Sequence, residues 1–166
     1  MRICIHRETQ EVGGTCIEIE SAGKRIVLDV GLPLEAEDSK VSLPHVKGFR
    51  EREPSLLAVV ISHPHQDHYG LAKYLLPDTP MIMGAAAERI LKAACLFTPA
   101  GVAFQRIRHL EPRIPLSVGP FTLTPFLNDH LRTTPILSSL KRTDIGYSIL
   151  EICAGMDGRQ GSFNNS

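Results

Sequence analysis

Apolar and polar positions alternate through the amino-terminal part of the chain, in the pattern typical of β-strands. The alternation covers residues 2–6 and 15–20, which a glycine-containing turn separates, and a third segment, residues 25–30, follows a turn signal at 21–24. Because short turns join antiparallel neighbours, the pattern predicts an antiparallel meander of these strands. The next segment, Leu34 to Pro54, is polar and has no clear period, so we expect a loop there.

The pattern changes at Leu56, where an uninterrupted apolar run continues to Ile61. A run of this length suits a strand buried on both faces, which implies helices packed around a sheet. A short helix is predicted over 70–76, ended by Pro77. A longer helix is predicted over 85–97, with an apolar stripe of Ile90, Leu91, Ala94 and Cys95. Further strands are predicted over 81–83, 102–110 and 121–127. The fold class is therefore α/β (α+β).

The composition limits the function without assigning one. A length of 166 residues suits one domain with a core. The 18 Lys and Arg balance 18 Asp and Glu, so an overall basic field for nucleic-acid binding is excluded, and such a role must rest on a local site. The apolar runs are too short for a bilayer, and no signal-peptide core follows Met1. We therefore expect a cytoplasmic protein with no membrane partner.

The four cysteines have no paired spacing: Cys4, Cys16, Cys95 and Cys153. Neither a zinc ribbon nor a disulfide scaffold is indicated. We expect buried free thiols.

Candidate metal ligands follow the apolar strand directly. His63, His65, Asp67 and His68 lie within six positions, where a loop leaving a strand can direct alternate side chains into one cavity. In such a loop His63 and His65 can share one ion, and Asp67 and His68 can reach a second ion beside it. Two neighbouring ions would hold a substrate and activate a water molecule. The alternative is a loop of exposed polar residues.

The spacing His63-x-His65-x-Asp67-His68 resembles the metal motif of the metallo-β-lactamase superfamily. The resemblance extends from Met1 to His130, and it is closest to the branch of ribonuclease J and the RNA 3′-end processing nucleases. The segments that carry this branch assignment are Ile5-His6-Arg7, Gly13-Gly14-Thr15-Cys16, residues 28–33 and residues 62–72. The resemblance implies the amino-terminal part of an αββα sandwich, incomplete in this chain.

The resemblance also assigns site residues. It implies that His63, His65 and His130 are ligands of a first zinc ion, and that Asp67 and His68 are ligands of a second and the candidate catalytic residues. Asp29 matches a carboxylate that lies behind the metal ligands. The alternatives are an isolated exposed histidine at 130 and an ordinary turn aspartate at 29. His6, His45 and His109 lack cluster partners, and we expect surface or core positions for them.

The family pattern stops after His130. A complete domain would continue with a strand, a Gly-Asp turn whose carboxylate bridges both metals, and a later histidine, but residues 131–166 contain no such sequence. A reading frame displaced by one base permits an alternating strand and a Thr-Gly-Asp turn, with the Asp codon across Glu151 and Ile152. We therefore expect residues 1–130 to form a partial domain, and residues 131–166 to be an out-of-frame, poorly ordered tail. The alternative is a genuine divergent tail.

Three functions agree with these residues. The resemblance implies zinc-dependent hydrolysis of phosphodiesters in RNA or DNA by a zinc-bound hydroxide. One alternative is a thioesterase of the glyoxalase II kind or another metallo-hydrolase, and another is a non-catalytic metal-binding fragment. Two zinc ions are implied for an intact member. Without the bridging carboxylate we expect one zinc or none in this chain and little turnover. The oligomeric state stays open.

Overall fold

The computed structural model describes residues 1–7, 13–34, 41–97, 102, 104–127 and 135–142. Its larger sheet has six strands in the sequential order β1 to β6. These strands are β1 (Arg2–Arg7), β2 (Cys16–Ser21), β3 (Lys24–Leu28), β4 (Leu56–Val60), β5 (Met81–Gly84) and β6 (Ile107–Leu110). The strands β1, β2 and β3 are antiparallel neighbours, so the predicted meander is confirmed. From β3 to β6 the neighbours are parallel, and the strand predicted over 102–110 is limited to its last four residues.

A smaller antiparallel sheet contains β7 (Leu116–Val118), β8 (Phe121–Leu127) and β9 (Pro135–Arg142), in that order. The bounds of β8 are those predicted from its apolar residues. The alternation over three residues in β7 was too short to predict a strand. The strand β9 pairs along β8 within the segment expected to lie outside the family's domain, and residues 143–166 lie outside the described part. The division of the chain at His130 stays a prediction.

The helical segments are α1 (Gln66–Tyr69), a 3-10 turn (Ala72–Tyr74) and α2 (Ala85–Phe97). The bounds of α2 confirm the prediction, but its predicted apolar stripe was wrong in part. Leu91 is buried together with Ala87 one turn earlier, whereas Ile90 and Cys95 are exposed. The buried residues of α2, Ala87 and Leu91, are four positions apart and so lie on one face of the helix, which leaves Ile90 and Cys95 on the sides that face solvent. The helix predicted over 70–76 is only the 3-10 turn, because Leu75 already has extended backbone angles.

Two apolar cores lie on opposite faces of the larger sheet. Val59 of β4 belongs to the first core, and its neighbours Ala58 and Val60 belong to the second. The strand predicted to be buried on both faces is therefore confirmed. The second core also contains Phe121 and Leu123, which join the smaller sheet to the larger one. The predicted loop before β4 contributes to the first core through Leu43, Val46 and Phe49.

Burial corrects one expectation about the cysteines. Cys16 is buried, but Cys4 and Cys95 are exposed, the former on the outermost strand of the larger sheet. A thiol on an edge strand has no neighbouring strand on one side to cover it. Cys153 lies outside the described residues. Within the described part, no helix has the length and apolar character needed to cross a membrane.

Candidate metal centre

The histidine-rich segment, His63 to His68, leaves the carboxyl end of β4 and is fixed by backbone contacts to two glycine-containing segments. Asp67 and His68 lie in α1, so the expected loop is helical at these two positions. The Asp67 carbonyl oxygen accepts hydrogen bonds from the backbone N–H groups of Gly14 and Thr15, each at 3.1 Å. A Cβ atom added at Gly31 would lie 1.7 Å from this same oxygen. The backbone N–H of Val30 also donates to the His68 carbonyl at 2.8 Å. Glycine at position 31 therefore lets the end of β3 approach the loop and fix its backbone.

Asp29 connects the end of β3 to the loop through its side chain. Its Oδ1 accepts a hydrogen bond from the Ser62 backbone N–H, and its Oδ2 accepts one from the Ser62 hydroxyl, both at 2.7 Å. The Oδ2 atom also lies 2.7 Å from Nδ1 of His68. Asp29 is only 2% exposed and has a positive φ of 59°, a backbone conformation that aspartate tolerates better than most residues. It is therefore a buried acceptor with an imidazole and a hydroxyl directed at it.

These contacts determine which nitrogens carry protons. The Ser62 hydroxyl has one proton, which it donates to Asp29, so it is an acceptor toward Nδ1 of His63 at 3.1 Å. His63 is then protonated at Nδ1, and its Nε2 carries a lone pair. His68 likewise donates from Nδ1 to Asp29. Its Nε2 lies 3.4 Å from Oδ2 of Asp67. This assignment leaves Nε2 of His63 with a lone pair and makes Nε2 the nitrogen of His68 that does not contact Asp29.

The candidate donors of the loop lie close together. The ring centroids of His63 and His65 are 4.7 Å apart, and those of His63 and His68 are 3.8 Å apart. His63, Asp67 and His68 are buried, and His65 is partly exposed. His130 lies outside the described residues. The structure thus places His63, His65, Asp67, His68 and Asp29 in one cluster.

The electrostatics of the cluster favour neutral imidazole at His63. Burial, followed by the neighbouring His68, lowers the pKa of His63 from 6.5 to about 4. His63 is therefore neutral near physiological pH, which is the form that binds zinc.

Zinc suits the chemistry of these donors, since it is commonly held by imidazole nitrogens and carboxylate oxygens. As arranged, however, the described residues contain no group of three or more His, Cys, Asp or Glu side chains that could hold a metal ion. His63 and His65 would therefore need a further ligand, and His130 is the candidate that the sequence offers.

Ser62 is the residue that the sequence interpretation missed. Its hydroxyl contacts Asp29 and lies 3.1 and 3.2 Å from Nδ1 of His63 and His68. The only signal in the sequence is a hydroxyl residue directly before the histidine cluster. Its role depends on Asp29, which is 33 residues away. Spacing within the motif could therefore not reveal this contact.

The remaining histidines have other surroundings. His6 lies 3.1 Å from Glu18, and His109 lies 2.5 Å from Glu88. His45 is exposed.

Comparison with known families identifies the class. The sequence profile of the metallo-beta-lactamase superfamily matches residues 9–119, which is more than half of the chain. The chain belongs to this superfamily.

Curated relatives are similar over only a small part of their length. Ribonuclease J of Helicobacter pylori is 26% identical over 125 residues, which cover 68% of this chain and 17% of the relative. The transcription termination factor FttA of Methanothermobacter thermautotrophicus is 36% identical over 66 residues, covering 40% of this chain and 10% of the relative. These relatives agree with the nuclease-related branch that the sequence resembles.

Solved structures show the same fold. A protein of unknown function from Enterococcus faecalis V583 superposes with a TM-score of 0.67 at 18% identity, over 86% of this chain and 41% of that one. A subclass B3 metallo-beta-lactamase with an active-site glutamic acid gives a TM-score of 0.53 at 16% identity, over 80% of this chain and 52% of that one. The chain therefore spans about half of these structures or less.

Proposed function

We propose that the loop from His63 to His68 is the metal-binding part of a hydrolase whose substrates are phosphodiesters of RNA or DNA. Membership of the superfamily supports the hydrolase, and similarity to proteins named ribonuclease J and FttA supports a nucleic-acid substrate. The structural observation that carries the proposal is the Asp29–Ser62 network, which orients Nε2 of His63 and His68 for metal binding. The proposed location is the cytoplasm.

The proposed zinc ligands follow from the cluster. His63 and His65 would hold a first zinc ion together with His130, and Asp67 and His68 would belong to a second. Zinc would supply Lewis-acid chemistry, polarising the phosphodiester and making water easier to deprotonate.

The chain's own residues prepare this chemistry before any metal binds. Asp29 accepts a hydrogen bond from Nδ1 of His68. This contact fixes the ring orientation and makes Nε2 a better metal ligand. The Ser62 hydroxyl accepts a hydrogen bond from Nδ1 of His63 and donates one to Asp29, so it orients the His63 ring in the same way. The backbone bonds to the Asp67 carbonyl fix the position from which its carboxylate can orient water. We therefore propose Asp67 and His68 as the residues closest to the chemistry.

This chain by itself should have little turnover. Its proposed second site has Asp67 and His68, and residues 131–166 contain no Gly-Asp sequence to supply a bridging carboxylate. Two-metal hydrolysis uses both ions to stabilise the attacking and leaving oxygens, so losing the second removes much of the rate enhancement. We propose that the chain binds at most one zinc ion and that its hydrolysis lies near background.

The substrate class can be tested on zinc-loaded protein with bis(p-nitrophenyl) phosphate and, separately, a glutathione thioester. Slow phosphodiester cleavage that is measurably above the protein-free rate, is lost in His65→Ala and is unchanged in His45→Ala supports the phosphodiester assignment with an incomplete site. Thioester cleavage that depends on His65, without phosphodiester cleavage, would replace that assignment with the thioesterase alternative. No His65-dependent cleavage of either substrate would leave the non-catalytic fragment as the function.

A further inference from the structure

The outermost strand of the larger sheet has an exposed apolar surface. Among the described strands β1 pairs with β2 alone, so β1 is an edge strand within the described part of the chain. Ile3 is 44% exposed and Ile5 is 52% exposed. Proteins usually protect such an edge with charges, proline, a bulge or a covering segment. In β1 the arginines lie at the two ends, Arg2 and Arg7, and the irregularity lies between Ile5 and Arg7, so the stretch from Ile3 to Ile5 contains none of these protective features.

These isoleucines continue the face of the sheet that contains the second core. The register pairs Ile3 with Ile19 and Ile5 with Ile17, so all four lie on one face. Ile19 is fully buried in the second core. The described side chains of the smaller sheet that join this core are Leu116, Val118, Phe121 and Leu123. The core thus continues at β1 as an apolar surface open to solvent.

The sequence of β1 is complementary to itself. Arg2-Ile3-Cys4-Ile5-His6 has the same order of basic, isoleucine, cysteine, isoleucine and basic residues in either direction. In an antiparallel pairing centred on Cys4, Ile3 would face Ile5 of a second copy, and each Cys4 would face the other. Such a pairing is isologous, with the same residues used by both copies. We propose that β1 docks a second copy of this chain, edge to edge, and that the two larger sheets become continuous.

Charge agrees with this pairing. Arg2 of one copy would face His6 of the other. Within each copy, Arg2 lies 2.5 Å from Glu20, and His6 lies 3.1 Å from Glu18. Both basic side chains thus lie beside a carboxylate, although Glu18 also pairs with Arg25 at 3.5 Å. These carboxylates offset the positive charge of the opposed Arg2 and His6. The favourable energy of the contact would come from the new backbone hydrogen bonds and from the pairs of Ile3 with Ile5, which lie on the face of the sheet opposite Cys4.

The first test measures association. Sedimentation equilibrium of the full chain over a concentration series should show a monomer–dimer equilibrium. Ile5→Lys should weaken dimerisation at least about tenfold, because it places a charge in both symmetry-related isoleucine pairs. Ile114→Lys is the matched control, since Ile114 is 55% exposed and lies outside β1. A wild-type chain that stays monomeric would overturn the proposal, as would a dimer equally weakened by both substitutions.

The second test fixes the register through Cys4. Directly opposed residues of antiparallel strands have Cα atoms about 4.5–5.5 Å apart, a separation that a disulfide can span. A Cys95→Ser/Cys153→Ser variant should form a disulfide-linked dimer when diamide oxidises its thiols, and adding Ile5→Lys should suppress that dimer. Cys4→Ser in the same background should prevent it. A dimer that forms without cross-linking through Cys4, or cross-links undiminished by Ile5→Lys, would overturn the pairing.

Discussion

The Asp29 carboxylate and Nδ1 of His68 lie 2.7 Å apart, although the residues are separated by 39 positions in the sequence. The contact joins the end of β3 to α1, which follows β4, and β3 and β4 are parallel neighbours. Because parallel strands end at the same edge of a sheet, their following residues can meet there. The candidate metal centre is thus built by sheet topology and is not contained within the histidine motif alone.

Replacing Asp29 by Asn should weaken zinc binding. Asn preserves the size of the side chain and tolerates the positive φ of 59°, but it removes the negative charge beside His68. Loss of such an outer partner typically lowers metal affinity by about 10–100-fold. Chelator competition checks this value. Asp78→Asn is the control, since Asp78 pairs with Arg52, and equal affinities for the two variants would contradict the proposed role of Asp29.

Replacing Ser62 by Ala should destabilise the metal-free protein by about 1–3 kcal/mol, because buried Asp29 loses a hydrogen-bond donor. Ser62→Thr retains the hydroxyl and should recover part of this loss. Urea unfolding measures both changes. Ser42→Ala, at an exposed position, should change the free energy of unfolding little. If Ser62→Ala were as stable as wild type, the buried network would not contribute to stability.

Replacing Gly31 by Ala should cost about 3 kcal/mol or more, since its Cβ would overlap the Asp67 carbonyl oxygen and displace the metal loop. Gly23 offers a comparison because it has a positive φ of 68° but no atom within 4 Å of an added Cβ. Gly23→Ala should therefore cost only the backbone strain, about 1–2 kcal/mol. Thermal unfolding should rank Gly31→Ala as the less stable variant, and the reverse order would contradict the described approach of the two segments.

The sequence predicted the elements that have long or uniform patterns. The helix α2 and the strand β8 have the predicted bounds, and β4 has the expected burial on both faces. It did not predict that Leu43, Val46 and Phe49 of the loop before β4 enter the core, because they follow no helical or strand period. The exposure of Ile90 in α2 was also not predicted, because the face of the helix that is buried depends on how α2 packs against the sheet.

The residues of the candidate site were likewise predicted only in part. Spacing selected His63, His65, Asp67 and His68 as candidate ligands because they are neighbours in sequence, and their role as ligands stays a prediction. Ser62 could not be assigned because its partner Asp29 comes from another strand. The displaced-frame interpretation of residues 131–166 stays a prediction. A gene sequence unable to encode Thr-Gly-Asp across residues 149–152 would exclude it.

Thiol labelling should distinguish the cysteines by burial. Burial, with the nearby Asp29 charge, raises the pKa of Cys16 from 9.0 to about 12, so its thiol stays protonated in mildly alkaline buffer. Iodoacetamide should modify exposed Cys4 and Cys95 in the folded protein, and Cys16 only after unfolding. Peptide mass spectrometry measures each site. Rapid labelling of Cys16 in the native state would show that β2 is not packed as described.

The central claim is that the histidine loop binds zinc at a partial two-metal site. Zinc analysis after dialysis against a weak chelator tests it most directly, with wild type, His65→Ala and the His45→Ala control measured together. The proposal predicts a measurable zinc content of up to one ion per chain for wild type and for His45→Ala, with the bound fraction strongly reduced by His65→Ala. Two tightly held zinc ions in wild type, or the same zinc content in all three proteins, would contradict it.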